Sequence, residues 1–213
     1  MDHAFWHQRW QQQQIGFHRD AFHDLLISYF PKVCRSGRVF VPLCGKSNDM
    51  LWLLDQGYRV FGVELNPLAV EAFFAENQLK PSIQKRGKFT EYRVDELVIW
   101  LGDVFALTAA DLADVDAWYD RASLVALPEA MRKDYIELLN HTLPAGCTGL
   151  LVTVEYPAGY WKGPPFSIAE TEVRDAFAHS FKVERMARVE GFMRNNELLE
   201  DSPVTEQAYL LYR

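Results

Sequence analysis

Gly45 and Glu64 stand nineteen residues apart, a glycine set for a turn and a carboxylate at the end of an apolar run. A glycine there lets backbone approach a ligand, and a carboxylate that far on accepts hydrogen bonds from two ribose hydroxyls. The chemistry within reach of this pair is nucleoside recognition. Two related patterns do not fit. A phosphate-binding loop ends in Gly-Lys-Ser, as Gly45-Lys46-Ser47 does, but needs a glycine five positions earlier, where Phe40 stands. A dinucleotide cradle needs Gly-x-Gly-x-x-Gly, and Gly45 stands alone. A ligand with a ribose and no phosphate to cradle remains, and S-adenosylmethionine meets that description. On this stretch alone, a glycine-bearing loop with a solvated Glu64 stays equally open.

Holding such a pair takes a strand, a turn, a helix and a second strand. Residues 38–41 are apolar and β-branched, and Pro42 ends the run. Ser47 or Asn48 can cap the helix at 47–56, and 58–63 form the second strand, closed by Glu64. Upstream, 4–15 read as a helix bearing Phe5, Trp6, Arg9 and Trp10, then four glutamines. Trp6 is expected to pack on the core; for Trp10, core packing and ligand contact compete. Residues 21–30 form an amphipathic helix ending before Pro31.

Downstream, Pro67 opens a helix to about Glu76, and 82–86, 88–93 and 97–101 read as short strands with a turn at Gly87-Lys88. A short helical piece at 109–114 precedes a core strand at 116–120, with Arg121 just past its end. A helix at 128–140, a strand at 148–154, a loop at 157–166 and a helix within 167–178 follow, the last capped by polar groups at 169–172. Strands at 181–189 and 207–212 close the chain around a polar, mobile loop at 190–205. This alternation predicts a doubly wound, mainly parallel sheet with an antiparallel end. Ligands bind such sheets beyond the carboxyl ends of the strands, here marked by Leu43, Glu64, Asp103 with Val104, Arg121, and Glu155 with Tyr156.

Composition narrows the class. A chain of 213 residues, 49% hydrophobic and 14% aromatic, is expected to form one globular α/β domain over 1–213. A net charge of −7 argues against a protein that tracks nucleic-acid phosphates. Three cysteines without a Cys-x-x-Cys pair suit reduced structural thiols, and no metal site is expected. No run reaches membrane-spanning length and the N-terminus lacks a signal-peptide pattern, so a soluble, cytoplasmic protein is expected, and nothing in the sequence demands more than a monomer.

Several motifs carry a family resemblance. Phe5-Trp6-x-x-Arg9-Trp10, Gly16-Phe17-His18, Pro42-Leu43-Cys44-Gly45-Lys46, Gly62-Val63-Glu64, Tyr119-Asp120-Arg121-Ala122-x-Leu124-Val125-Ala126-Leu127 and Gly163-Pro164-Pro165-Phe166 occur in order over nearly the whole chain. Together they resemble the thiopurine S-methyltransferase family, particularly its bacterial form. Pro-Leu-Cys-Gly replaces the usual Gly-x-Gly-x-Gly as it does in that family.

The resemblance implies a class I methyltransferase fold with an N-terminal helical lid over residues 1–30. It implies S-adenosyl-L-methionine as donor and S-adenosyl-L-homocysteine as product. Trp10 and Phe17 would cover the donor, Leu43 would contact it, Glu64 would hold its ribose, and Asp103 and Val104 would flank its adenine. Arg121 would sit beside the methionine end and the acceptor, with Arg194 as a second acceptor-side arginine. The implied reaction is methylation of aromatic or heterocyclic thiols, thiopurines among them, by in-line displacement. Orientation can supply roughly 7–11 kcal/mol of such a barrier, so no dedicated base is required. An aromatic face such as Trp10 adds about 0.5–2 kcal/mol beside a sulfonium. Arg121 and Arg194 would favour an anionic acceptor.

Cys44 is expected to be a packed thiol and His18 a surface or capping residue. Competing readings are a methyltransferase for selenium, tellurium or another small acceptor, a nucleic-acid methyltransferase, and a non-catalytic nucleoside-binding protein. The second would want an Asn-Pro-Pro-Tyr-like tetrapeptide, to which Gly163-Pro164-Pro165-Phe166 is only superficially similar.

Overall fold

The computed structural model describes residues 3–191, 193–194, 197–198 and 202–213. Strand β1 (Arg38–Pro42) lies inside a nine-stranded sheet. On one side it pairs in parallel with β2 (Arg59–Glu64), and β2 with β5 (Leu97–Leu101). On the other it pairs in parallel with β6 (Ala117–Arg121), and β6 with β7 (Thr148–Glu155). The chain therefore turns in opposite directions from β1, and the switch point lies between β1 and β6.

Antiparallel strands extend both edges, one edge more than expected. Beyond β5 lie β4 (Phe89–Val94) and β3 (Ser82–Arg86), a hairpin turned at Gly87 with φ +58°. Beyond β7 lie β11 (Thr205–Tyr212) and β8 (Lys182–Glu190). Helices cover both faces. Helices α2 (Asp24–Val33), α3 (Asp49–Asp55) and α4 (Pro67–Glu76) bury Phe30, Met50, Leu53 and Phe73 on one side. On the other, α5 (Glu129–Thr142) and α6 (Glu170–Phe177) bury Tyr135, Leu139 and Phe177.

Strand β6 serves both layers, as a period of two requires. Trp118 and Asp120 face α5, while Tyr119 and Arg121 face α3. Beside Trp118, Gly149 leaves room that no other residue would: a Cβ there would stand 2.1 Å from the indole.

Several boundaries differ from expectation, each for a local reason. Helix α1 (His3–Gln11) stops inside the glutamine tract, and Gln13 takes φ +55°. The start of α2 shifts to Asp24 because His23 Nδ1 accepts the Leu25 N–H at 3.3 Å. The helix then runs past Pro31 to Val33, since a proline near the last turn loses one bond and Cys34 N–H still reaches Phe30 O at 3.2 Å. Ser47 rather than Asn48 caps α3, its Oγ accepting the Asp49 N–H at 3.3 Å. Residues 109–114 are turns, with Asp111 accepting from the Thr108 N–H and hydroxyl at 2.9 and 2.7 Å. Ala169 makes no side-chain cap to α6. In the stretch expected to be a mobile loop, β9 (Met193–Arg194) pairs with β10 (Glu197–Leu198). Residues 192, 195–196 and 199–201 of that stretch lie outside the described residues. Among the described residues, no helix is long and apolar enough to cross a membrane.

Candidate active site

Register brings the expected rim together. Pro42 pairs with Val63 and Glu64 with Leu101, so Leu43, Glu64 and Gly102-Asp103 leave the sheet side by side. Leu43 takes φ +43°, strained for a branched side chain, and Cys44 N–H reaches Val63 O at 3.0 Å. Gly45, at φ +53°, then donates its N–H to Glu64 Oε2 at 2.8 Å. A Cβ on Gly45 would stand 3.3 Å from the Trp10 ring, so this turn and α1 meet closely.

Glu64 is 7% exposed, so the alternative of a solvated carboxylate is set aside. Its other oxygen accepts the Asn66 N–H at 2.8 Å. Burial pushes its pKa up, against the pull of the N–H groups of Asn66 and Gly45. A carboxylate has about four acceptor positions, so two remain for hydroxyl donors.

Three adjoining cavities open here. One of about 620 Å³ is lined by Trp10, Phe17, His18, Leu43, Glu64 and Arg121 among others. A second of about 400 Å³ shares Leu43 and Leu65 with it and is walled by Asp103, Val104 and Phe105. Asp103 Oδ1 accepts the Phe105 N–H at 3.0 Å and so fixes the turn that carries Val104. A third, of about 750 Å³, shares Phe17, Arg121, Ala122 and Ala126 with the first. Apolar walls of Val125, Val152, Val154, Pro164 and Pro165 face Arg9, Arg19, Arg121 and Glu206 there.

Arg121 is the last residue of β6 and stands between two of these cavities. Its Nε donates to Asp49 Oδ2 at 2.8 Å, one terminal nitrogen to Phe17 O at 3.0 Å, and the other to Ser47 Oγ at 3.2 Å. Asp49 also accepts from Tyr119 Oη at 3.0 Å and His23 N–H at 2.9 Å. Burial would raise the Asp49 carboxyl, but Arg121 beside it and His23 hold it below its usual value. Burial likewise pulls Arg121 down, and Asp49 more than offsets that, so the guanidinium stays charged.

Of the expected site residues, the structure brings Trp10, Phe17, Leu43, Glu64, Asp103, Val104 and Arg121 to these cavities. Arg194 lies on β9, and its side chain lies outside the described residues. Glu155 instead binds Gln207, and Tyr156 holds the Pro165 carbonyl at 2.7 Å. Two expectations are corrected. Trp6 lines all three cavities rather than packing only on the core. His18 is no surface residue: its side chain is 13% exposed on the wall of the Glu64 cavity, and burial, with Lys46 nearby, lowers its pKa.

Cys44 is packed as expected. Its Sγ would lie 2.8 Å from a Cβ on Gly62, and burial pushes the thiol well up. Arg9, Arg19, Glu206 and Asp49 escaped notice as site residues. Arg9 carried the only signal, a cation between two tryptophans in a motif.

The fold has many solved relatives. A methyltransferase from Anabaena variabilis described as S-adenosylmethionine-dependent aligns with a TM-score of 0.65 at 14% identity, over 99% of this chain and 95% of that one. A Burkholderia thailandensis 1,6-didemethyltoxoflavin-N1-methyltransferase, solved with S-adenosylhomocysteine, aligns with a TM-score of 0.63 at 14% identity, over 99% and 86%. The architecture is thus that of the class I S-adenosylmethionine-dependent methyltransferases. In sequence, the chain is 48% identical to the thiopurine S-methyltransferase of Pseudomonas entomophila, over the full length of both. The family model described as thiopurine S-methyltransferase matches residues 1–213. The chain belongs to the thiopurine S-methyltransferase family, enzymes whose methyl donor is S-adenosyl-L-methionine. The residues present suit that donor: a buried carboxylate with two acceptor positions left stands in a largely apolar cavity that adjoins a second apolar cleft.

Proposed function

We propose that the chain transfers a methyl group to the sulfur of an aromatic or heterocyclic thiol. One observation carries this reading. The 750 Å³ cavity and the Glu64 cavity share the wall formed by Phe17, Arg121, Ala122 and Ala126, so two small molecules can meet there. Glu64 would hold the donor's ribose hydroxyls, while Leu43, Asp103 and Val104 would bound its adenine. Trp10 and Phe17 would close over it from the N-terminal segment, which serves as a lid.

The donor supplies an electrophilic methyl group on a sulfonium. A thiolate is already a good nucleophile, so the chain's own task is orientation and exclusion of water. Arg121 serves both cavities as a positioning cation, tying Phe17 to the sheet while Asp49 balances its charge. The apolar walls of the larger cavity accept a flat ring, and Pro164 and Pro165 are held there through Tyr156 Oη and the Phe166 N–H, which donates to Val125 O at 2.7 Å.

The test is a screen with methyl-labelled donor against thiopurines, thiophenols, selenite and tellurite. Labelled thioethers are expected. Label moving only to selenium or tellurium would replace the sulfur reading, and donor binding without transfer would make the chain a binding protein.

A further inference from the structure

We propose that His18 receives the carboxylate of the methyl donor's amino-acid tail, and that binding therefore draws a proton from solvent onto its ring. This rests on the reading that places the donor's ribose at Glu64, and it names the residue for the other end of the molecule. The donor has an adenine, a ribose and a tail that ends in an ammonium and a carboxylate. With the adenine bounded by Asp103 and Val104 and the ribose at Glu64, the tail falls in the rest of the 620 Å³ cavity. The side chains lining that cavity that can carry positive charge are His18 and Arg121.

Arg121 is committed already. Its Nε and both terminal nitrogens donate to Asp49, Phe17 O and Ser47 Oγ, and Asp49 answers its charge. Lys46, near His18, donates to both oxygens of Glu76 at 2.7 and 2.9 Å. His18 Nε2 stands 3.8 Å from the Asp20 carboxylate, beyond hydrogen-bond reach, and Asp20 is 82% exposed. The backbone braces the ring on this wall. Arg121 holds the carbonyl of Phe17, and His18 N–H donates to Ile15 O at 2.8 Å. His18 lines the donor cavity and not the 750 Å³ one, so an anion here belongs to the donor.

Charge makes the contact conditional on a proton. On its own the chain favours the neutral ring: burial first, then Lys46 and Arg121, outweigh Glu76 and Asp20. Glu64, on the same cavity, is engaged by the Gly45 and Asn66 N–H groups. A carboxylate in hydrogen-bond contact reverses the balance, because an adjacent opposite charge favours the charged form. The pKa of His18 with the donor bound then lies above its value without it. Affinity from this contact is full below the lower value and is lost as pH rises through the higher one.

The experiment is calorimetry of the full-length protein with S-adenosylhomocysteine and with its decarboxylated analogue. Both carry the ammonium, and only the first carries the carboxylate. Titrations near neutral pH in buffers of different ionisation enthalpy read the protons taken up. The wild type is expected to take up a fraction of a proton with S-adenosylhomocysteine and none with the analogue. It should bind the first about 10- to 100-fold more tightly. His18→Gln keeps an N–H but loses the charge, so it should remove the uptake and shrink that preference about 10-fold. Equal uptake with both ligands, or a His18→Gln that weakens both alike, overturns the assignment. The wild-type uptake needs no variant, so a His18→Gln that fails to fold leaves the assignment open to refutation. Glu64→Gln separates the two readings. If it weakens S-adenosylhomocysteine while His18→Gln leaves the preference unmoved, only the tail assignment falls. If it leaves the affinity unchanged, the donor lies elsewhere and both fall.

Discussion

Glu64 shows what one residue reveals in sequence and what it conceals. Its place at the end of β2 was legible from the glycine turn nineteen residues earlier, but its two backbone partners were not. Glu64→Gln would set an amide NH2 against a backbone N–H and remove the anion, so donor affinity is expected to fall about 10- to 100-fold. Calorimetry with S-adenosylhomocysteine checks it, and unchanged affinity would remove Glu64 from the site. Asp49 was not legible, because an acid in the first turn of a helix is explained by the helix dipole alone. Only tertiary packing puts Arg121, Tyr119 and His23 around it. Asp49→Asn leaves Arg121 buried without its counter-charge and is expected to cost about 3–5 kcal/mol. The folded pKa of Asp49 lies below its unfolded one, so its contribution is present above the unfolded value and lost as pH falls through the folded one. Urea titrations across acidic pH should show that loss in the wild type and not in Asp49→Asn.

At the scale of elements, β6 carries two ionisable groups to opposite layers. Arg121 goes to α3, while Asp120 is fully buried against α5, accepting from Tyr135 Oη at 2.7 Å and Leu124 N–H at 3.1 Å. Burial raises its pKa to about 6 despite those donors. The folded state therefore binds the proton more tightly than the unfolded one. Stability from this group is full below the unfolded value near 4 and is lost as pH rises through about 6. Across that window the wild type should lose up to about 3 kcal/mol that Asp120→Asn does not lose, read from urea midpoints at each pH. Helix α1 makes the other element-scale prediction. Trp6, Arg9 and Trp10 reach the cavities from it, and Phe17 follows, tied to Arg121. Deleting residues 1–17 should abolish methyl transfer and leave a cooperative thermal transition, since the sheet and its two core layers lie outside the deletion. Transfer at the normal rate would end the lid reading.

For the whole molecule, the parallel core was legible because short β-branched runs alternate with helical stretches, and strand ends then mark the rim. The second antiparallel edge was underweighted because β11 reaches β7 across a long stretch of chain and β8 then pairs outside β11. Boundaries slipped where a single side chain decided them, as His23 does for α2 and Ser47 for α3. Cavity charge was hidden most deeply. Arg9 sits in a terminal helix, Arg19 in a connection and Glu206 on the closing strand, and only folding sets them around one space. The central claim is that this space receives a thiol beside the methyl donor. The most direct measurement is single-turnover transfer from methyl-labelled S-adenosylmethionine to thiophenol, with the product identified by mass. Label on sulfur, saturating in both ligands, is predicted; saturable donor binding with no label on any thiol would contradict the account.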